Sequence, residues 1–430
     1  MKKLSNIGII GGGITGLVLG YYFSKNGYKP VIFEKNSELG GLINTKEICG
    51  KRLEKYYHHI FTGDKYTTEL LEELGIHEKI DWPESSIGVF LEEKSYPFSN
   101  SLDLLKFPHL SFLSKVKSGL ATIFLQHYKN WKKLKDIKAS DWIKKYMGEE
   151  VWQVIWKPLF YGKFGKYYQD IAMSWFWARI HSRSAAKFSR KELLGYPRNS
   201  YQEIIDKLAG EISNKGQIFV NKAIERLIID NDSKIRLISG GETHSFDLVV
   251  STIAPPILAS FLSDDFSDFK KQLRQINYLG NISTILILKE KLTDYYWTNI
   301  LDKDIPFAGI IEHTNLVPAD RYQNKHIVYI SHYTSSDSNY FTVDKKELIE
   351  KYLISLEKIN PRINSILEDV IIFKEAYAQP VITSDYFYKI PEIQTPIKNL
   401  YQLSMAQIFP EDRGVNNVIR EAKNLANFIS

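Results

Sequence analysis

Three glycines, Gly11, Gly13 and Gly16, follow the apolar run Ile7-Gly8-Ile9-Ile10 at the spacing G-x-G-x-x-G, and an acid, Glu34, closes the next apolar run, Val31-Ile32-Phe33. Glycine at the first position allows a tight turn, at the second lets phosphate reach the backbone, and at the third lets a helix pack closely on a strand. Ile14 and Thr15 would open that helix, whose first N–H groups suit a diphosphate. Glu34, with Lys35 beside it, stands 18 residues after Gly16, where a carboxylate accepts both ribose hydroxyls and repels a 2′-phosphate. Strand, turn, helix, strand and acid occur in order. The expected chemistry is the binding of FAD or NAD rather than NADP.

The next segment, from Glu34 through Gly40-Gly41-Leu42 to Thr45, resembles the extended FAD signature of the flavin amine oxidase and protoporphyrinogen oxidase superfamily. The resemblance implies FAD, with Gly40, Gly41 and Leu42 against the pyrophosphate and flavin. It also implies a backbone contact to adenine near Ile224 and a last motif at Arg413-Gly414-Val415-Asn416, where N–H groups of a helix start meet the pyrimidine edge of the flavin. The positive end of a helix there would stabilise charge on reduced flavin. Two departures are visible. Pro197-Arg198-Asn199-Ser200 stands where the family has Pro-x-Gly-Gly, and Ser404-Met405 stands where it has Gly-Asp, leaving a hydroxyl in place of a carboxylate.

Flavin carries the redox step, so the protein need only hold a C–H bond against it and dispose of a proton. His58 and His59, after Tyr56-Tyr57, resemble the family's stretch along the flavin. They point oppositely if extended, so one of them faces the ring as base or donor, with Tyr57 at the substrate. Glu312, His313 and Asn315, with Tyr333 ending a later strand, form a second polar group that is a candidate for substrate binding. Arg179 and Arg183 share a helix face and suit a phosphate or carboxylate. No lysine is matched to the flavin-facing lysine of amine oxidases, so no residue supports amine specificity.

The resemblance implies an α/β fold: a Rossmann-like FAD-binding domain with a mixed sheet, discontinuous in sequence, and an inserted α+β substrate-binding domain. The FAD-binding pieces are expected at 1–84, 191–265 and 386–430, and the substrate pieces at 85–190, helical, and 266–385, sheet. In the middle piece, a helix over 201–212 leads to alternating strands over 223–229 and 235–239, joined by an Asn-Asp-Ser turn, and then to a buried strand over 246–252.

A chain of 430 residues suits two or three lobes, and its 49 Tyr and Phe residues can line a pocket for a flat or greasy ligand. The single cysteine, Cys49, excludes disulfides within the chain and a cysteine-based zinc site, and no metal is expected. A net charge of +6 without a nucleic-acid motif gives no reason to expect RNA or DNA as partner. The glycine motif leaves no room ahead of it for a signal peptide, and no apolar run reaches the length of a membrane span. The expected location is cytoplasmic, or peripheral on the inner face of a membrane. The stretch 106–138 carries eight lysines against one acid, with Leu113, Val116, Leu120, Ile123, Phe124, Trp131 and Leu134 at helical spacing. That pattern fits a membrane-binding helix, or, as the favoured reading, a surface helix packed on its own core.

The expected function is an FAD-dependent oxidoreductase removing hydride from an apolar or amphipathic small molecule: an amine, a porphyrinogen-like ring, or an isoprenoid or lipid-linked compound. The alternatives are a flavin-dependent sugar-nucleotide mutase, an NAD(P)H-dependent reductase, and a non-catalytic flavin-bound scaffold.

Overall fold

The computed structural model describes residues 6–185, 192–230 and 234–430. The continuous apolar runs become strands of one five-stranded sheet, in the order Gln217–Phe219, Lys29–Phe33, Asn6–Ile10, Leu248–Ser251, Leu400–Gln402. Every neighbouring pair in it is parallel. A parallel strand covered on both faces needs apolar residues throughout, which is why these segments do not alternate.

Helices Ile14–Lys25, Gln202–Ser213 and Val415–Ile429 cover one face, with Leu17, Leu208, Ile212, Ile419 and Leu425 in a common core. The other face carries a three-stranded antiparallel meander, Arg226–Ile229, Ile235–Ser239 and Glu242–Phe246, whose Leu227, Leu237 and Phe246 pack on Ile10 and Phe33. Both kinds of pairing thus occur in this lobe. The Asn-Asp-Ser turn of the meander lies outside the described residues.

The second lobe is built on a seven-stranded sheet in the order Leu367–Pro380, Tyr278–Leu288, His326–Thr334, Gly309–Glu312, Trp297–Ile300, Ile87–Leu91, Lys94–Pro97. Helix Lys345–Ile359 buries Leu348, Tyr352 and Leu356 on one face. On the other, Tyr296 and Tyr329 pack with Leu53 and Tyr196 from the strands that lead into and out of the nucleotide lobe. The segment 85–190, expected to be helical, opens with the hairpin Ile87–Leu91 and Lys94–Pro97 before turning helical. Its turn residues Glu92 and Glu93 both sit at positive φ, 51° and 60°, a conformation usually signalled by Asn or Gly, so the sequence carries no turn mark there.

The helices after the hairpin gather around Ile143, Trp152, Trp175 and Phe176. Helix Phe112–His127 is packed the opposite way from the expected one. It buries Ser114, Ser118, Ala121 and Leu125 and leaves Phe112, Leu113, Val116, Leu120, Ile123 and Phe124 between 37 and 75 % exposed. Of the apolar stripe read from the sequence, only Trp131 and Leu134, beyond the helix, turn inward.

Candidate active site

At the N-terminal turn, Gly11 adopts φ of 104°, and a Cβ on Gly16 would lie 2.0 Å from the Gly11 carbonyl oxygen. Helix and turn meet too closely for any side chain there. Glu34, buried, accepts from Gly12 N at 2.8 Å through Oε2 and from Asn36 N at 2.9 Å through Oε1. The acid therefore braces the turn as well as standing at its mouth. Lys222 N donates to the Glu34 carbonyl at 2.9 Å, which lays the segment leading to buried Ile224 beside the strand end. Lys35 is exposed; Thr15 is buried at the helix start beside half-buried Ile14.

The Gly-Gly pair lies on this turn. Gly40 N donates to Gly12 O at 2.8 Å, and Gly41 opens the short turn Gly41–Ile43 that carries Leu42. In front of Gly13, a Cβ would meet only Gly41 Cα, at 3.8 Å; in front of Gly414, it would meet only Asp412 O, at 4.0 Å. Gly13 and Gly414 are the N-cap residues of the helices Ile14–Lys25 and Val415–Ile429, and neither is capped by a side chain. Two long helices thus present uncapped N–H groups to open space. Two such open helix starts fit FAD.

The side chains near the second helix are occupied. Asn416 Oδ1 accepts from Tyr66 N at 2.9 Å and Thr67 N at 3.2 Å, so it caps helix Lys65–Glu73 and leaves only backbone, with that of Val415, for a ligand. Ser404 N and Oγ both donate to Gln407 Oε1, at 2.8 and 3.0 Å, which closes the turn Met405–Gln407. The hydroxyl that replaces the family's carboxylate is spent inside the fold, while Met405 faces the cleft described next.

That cleft is a narrow crevice, too tight in this structure to admit a water molecule, where the substrate lobe meets the loop before Gly414; Phe164, Trp175, Ile382, Met405, Asp412 and Arg413 line it. Asp412 receives Arg179 Nη1 on Oδ2, with Lys163 Nζ at 3.5 Å from the same oxygen and Trp175 Nε1 at 3.4 Å from Oδ1. Burial alone would raise its carboxyl, but Lys163 first, then Arg179 and Arg413, hold it well below the usual range. Burial pulls the Lys163 ammonium down, with Asp412 opposing. Arg413 Nη2 donates to the Tyr333 hydroxyl at 3.1 Å, and that oxygen lies 3.4 Å from the Tyr57 hydroxyl. Burial would raise the Tyr333 phenol, yet Arg413 and then Lys163 outweigh it and bring it down to about 8. Tyr57 meets Trp297 edge to face, ring centroids 4.8 Å apart.

His58 and His59 diverge, as an extended segment requires. His58 Nδ1 lies 2.6 Å from Tyr56 O, and burial, opposed by that bond and aided by Arg413, takes its imidazole down to about 4. His59 Nδ1 lies 3.0 Å from the Tyr296 hydroxyl, among the rings of Phe61, Tyr296 and Trp297.

Glu312, His313 and Asn315 are not brought to the cleft. Fully buried Glu312 accepts from Leu292 N at 3.0 Å and Thr293 N at 3.2 Å, and burial raises it to about 7. His313 Nε2 sits 2.8 Å from the Tyr322 hydroxyl, and Asn315 Nδ2 donates to Thr293 O at 3.0 Å. These three hold a loop on the sheet. Of that group, Tyr333 alone meets a residue that lines the cleft, through its bond with Arg413. Arg179 reaches it bound to Asp412, and the Arg183 side chain lies outside the described residues. Lys163 and Asp412 are not singled out by the sequence. The available signals were the charged pair immediately before Gly414 and a lysine set in the aromatic run Phe160-Tyr161-Gly162-Lys163-Phe164.

The model of the family described as flavin containing amine oxidoreductase matches residues 14–402. The chain is 24 % identical to protoporphyrinogen oxidase of Dictyostelium discoideum over 365 residues, covering 66 % of this chain and 67 % of that protein. It is 22 % identical to 15-cis-phytoene desaturase of an Oncidium hybrid cultivar over 438 residues, covering 93 % of this chain and 73 % of that protein. Other plant phytoene desaturases match over shorter stretches, down to 16 % of their own length. Among solved structures, the CLA-producing fatty acid isomerase from P. acnes superposes with a TM-score of 0.76 at 17 % identity, covering 100 % of this chain and 99 % of that one. The glycine turn, the Gly-Gly pair and the open C-terminal helix start agree with the family match over most of the chain, and FAD is the cofactor they serve. The protein belongs to the flavin-containing amine oxidoreductase family.

Proposed function

We propose that this protein is an FAD-dependent oxidoreductase that removes hydride from an apolar or amphipathic substrate seated in the cleft between the two lobes. The observation that carries this reading is the meeting of two uncapped helix starts, at Gly13 and Gly414, with an aromatic-walled cleft directly before the second. FAD bound at these helices supplies the hydride acceptor. The protein's part is to position and to shield. Trp175 and Phe164 wall the cleft, and Tyr57 packed on Trp297 joins Tyr333 at its polar side. His58, held neutral with Nδ1 on the Tyr56 carbonyl, keeps Nε2 as an acceptor for a proton or a donor group.

Helix Phe112–His127 supports a substrate drawn from a lipid surface. A helix that buries serines and exposes large apolar side chains pays a hydration cost in water that insertion beside anionic headgroups removes. Lys115, Lys117, Lys129, Lys132 and Lys133 lie in and just after it. We take this face as a peripheral membrane contact.

The test is to purify the protein and record its visible spectrum. Amines, porphyrinogens, polyprenyl compounds and fatty acids are then screened anaerobically for bleaching. Bleaching by one of these classes is expected; bleaching by none, with reaction of a uridine-linked sugar instead, would turn the assignment to a mutase.

A further inference from the structure

Three cations, Lys163, Arg179 and Arg413, face one carboxylate, Asp412, around the cleft. Arg179 is satisfied by Asp412, and Lys163 stands off from it at 3.5 Å. Both Lys163 and Arg413 approach a single ring: Lys163 Nζ lies 5.5 Å and Arg413 Cζ 5.6 Å from the centroid of Tyr333. Arg413 spends Nη2 on the Tyr333 hydroxyl, while its Nε is shielded from solvent and has no hydrogen-bond partner. A shielded guanidinium N–H left unpaired costs free energy that an incoming acceptor recovers. The excess of positive charge, the unspent donor and the apolar walls of Phe164, Trp175 and Ile382 lie at one place.

We propose that Lys163 and Arg413, which both approach the Tyr333 ring, form a subsite for the carboxylate of an amphipathic acid whose apolar chain packs against Phe164, Trp175 and Ile382 as it enters the crevice. This rests on the cleft being the substrate site, as proposed above, and it narrows the substrate class. An ammonium group brought here meets a net positive wall, so amines are disfavoured. A carboxylate gains charge-assisted hydrogen bonds from a lysine and an arginine at once.

The experiment uses the FAD-loaded protein, titrated with straight-chain carboxylates and with the alcohol, amine and phosphate of the same chain. Binding is read by perturbation of the flavin spectrum and, independently, by tryptophan fluorescence, since Trp175 borders the subsite. The carboxylate should bind at least about tenfold more tightly than the alcohol, and the amine weakest. Lys163→Met should abolish most of that preference without weakening the alcohol, and Lys163→Arg should keep it. Equal binding of acid and alcohol, preference for the amine or the alkyl phosphate, a Lys163→Met variant with its preference intact, or no binding of any carboxylate overturns the subsite. A colourless protein that takes up no FAD overturns the flavin reading instead, and the fluorescence titration still decides the subsite.

Discussion

The Tyr333 hydroxyl accepts a hydrogen bond of 3.1 Å from Arg413 Nη2, and that bond ties a strand of the substrate sheet to the loop before the C-terminal helix. A phenol so placed should ionise early, near pH 8, because Arg413 and Lys163 together outweigh the effect of burial. Tyrosinate absorbance followed against pH should show one tyrosine titrating there. Arg413→Met should move that step up to or beyond 10, the ordinary tyrosine value. A titration in which no tyrosine ionises below the ordinary range contradicts the relationship.

Two neighbouring glycines should fail in different ways. A Cβ on Gly16 collides with the Gly11 carbonyl at 2.0 Å, so Gly16→Ala should lower stability by about 1–3 kcal/mol or more and shed FAD through loss of the turn. A Cβ on Gly13 meets nothing nearer than Gly41 Cα at 3.8 Å, so Gly13→Ala should fold with an ordinary melting temperature and still lose FAD, because the methyl takes the phosphate's place. Melting temperature and FAD content, measured together, separate the two.

Glu54 is buried, with Tyr196 OH and Tyr201 N both donating to it at 2.7 Å, and burial outweighs these bonds and raises its carboxyl to about 7 from 4.5. The unfolded chain loses this proton near pH 4.5 while the folded protein keeps it until about 7, so stability falls as pH rises through that window and then levels off. The penalty is about 3 kcal/mol. Glu54→Gln keeps an acceptor for Tyr201 and removes the charge. Urea unfolding should therefore show the variant gaining roughly 3 kcal/mol on the wild type between about pH 4 and about pH 8; parallel pH curves would count against it.

Helix Phe112–His127 offers a surface test. Leu113→Glu with Leu120→Glu removes two exposed apolar side chains that contribute little to the core, so unfolding free energy should change by no more than about 0.5 kcal/mol per site. Sedimentation with vesicles rich in anionic lipid should fall sharply, and wild-type binding should weaken with salt. Undiminished sedimentation of the double variant would remove this helix from the membrane.

The nucleotide turn was legible because its residue types are dictated by backbone geometry: no side chain fits at Gly16, and an acid must close the next strand. The cleft was not, since Lys163, Arg179, Tyr333 and Asp412-Arg413 come from distant segments and meet only through tertiary packing. Periodicity revealed the apolar stripe of residues 113–124 but not the side to which it turns, because the opposite stripe of Ser114, Ser118 and Ala121 also packs closely enough to face the core. Glu312 and His313 read as a polar site because sequence does not show that Tyr322 and two backbone N–H groups satisfy them.

The helix that opens at Gly414 packs against the helix that opens at Gly13, and strand Leu400–Gln402 pairs with Leu248–Ser251 at the edge of the sheet. The cofactor's cradle is therefore divided between two segments roughly 400 residues apart in the sequence. Such a cradle is complete only once the two helices have packed on each other.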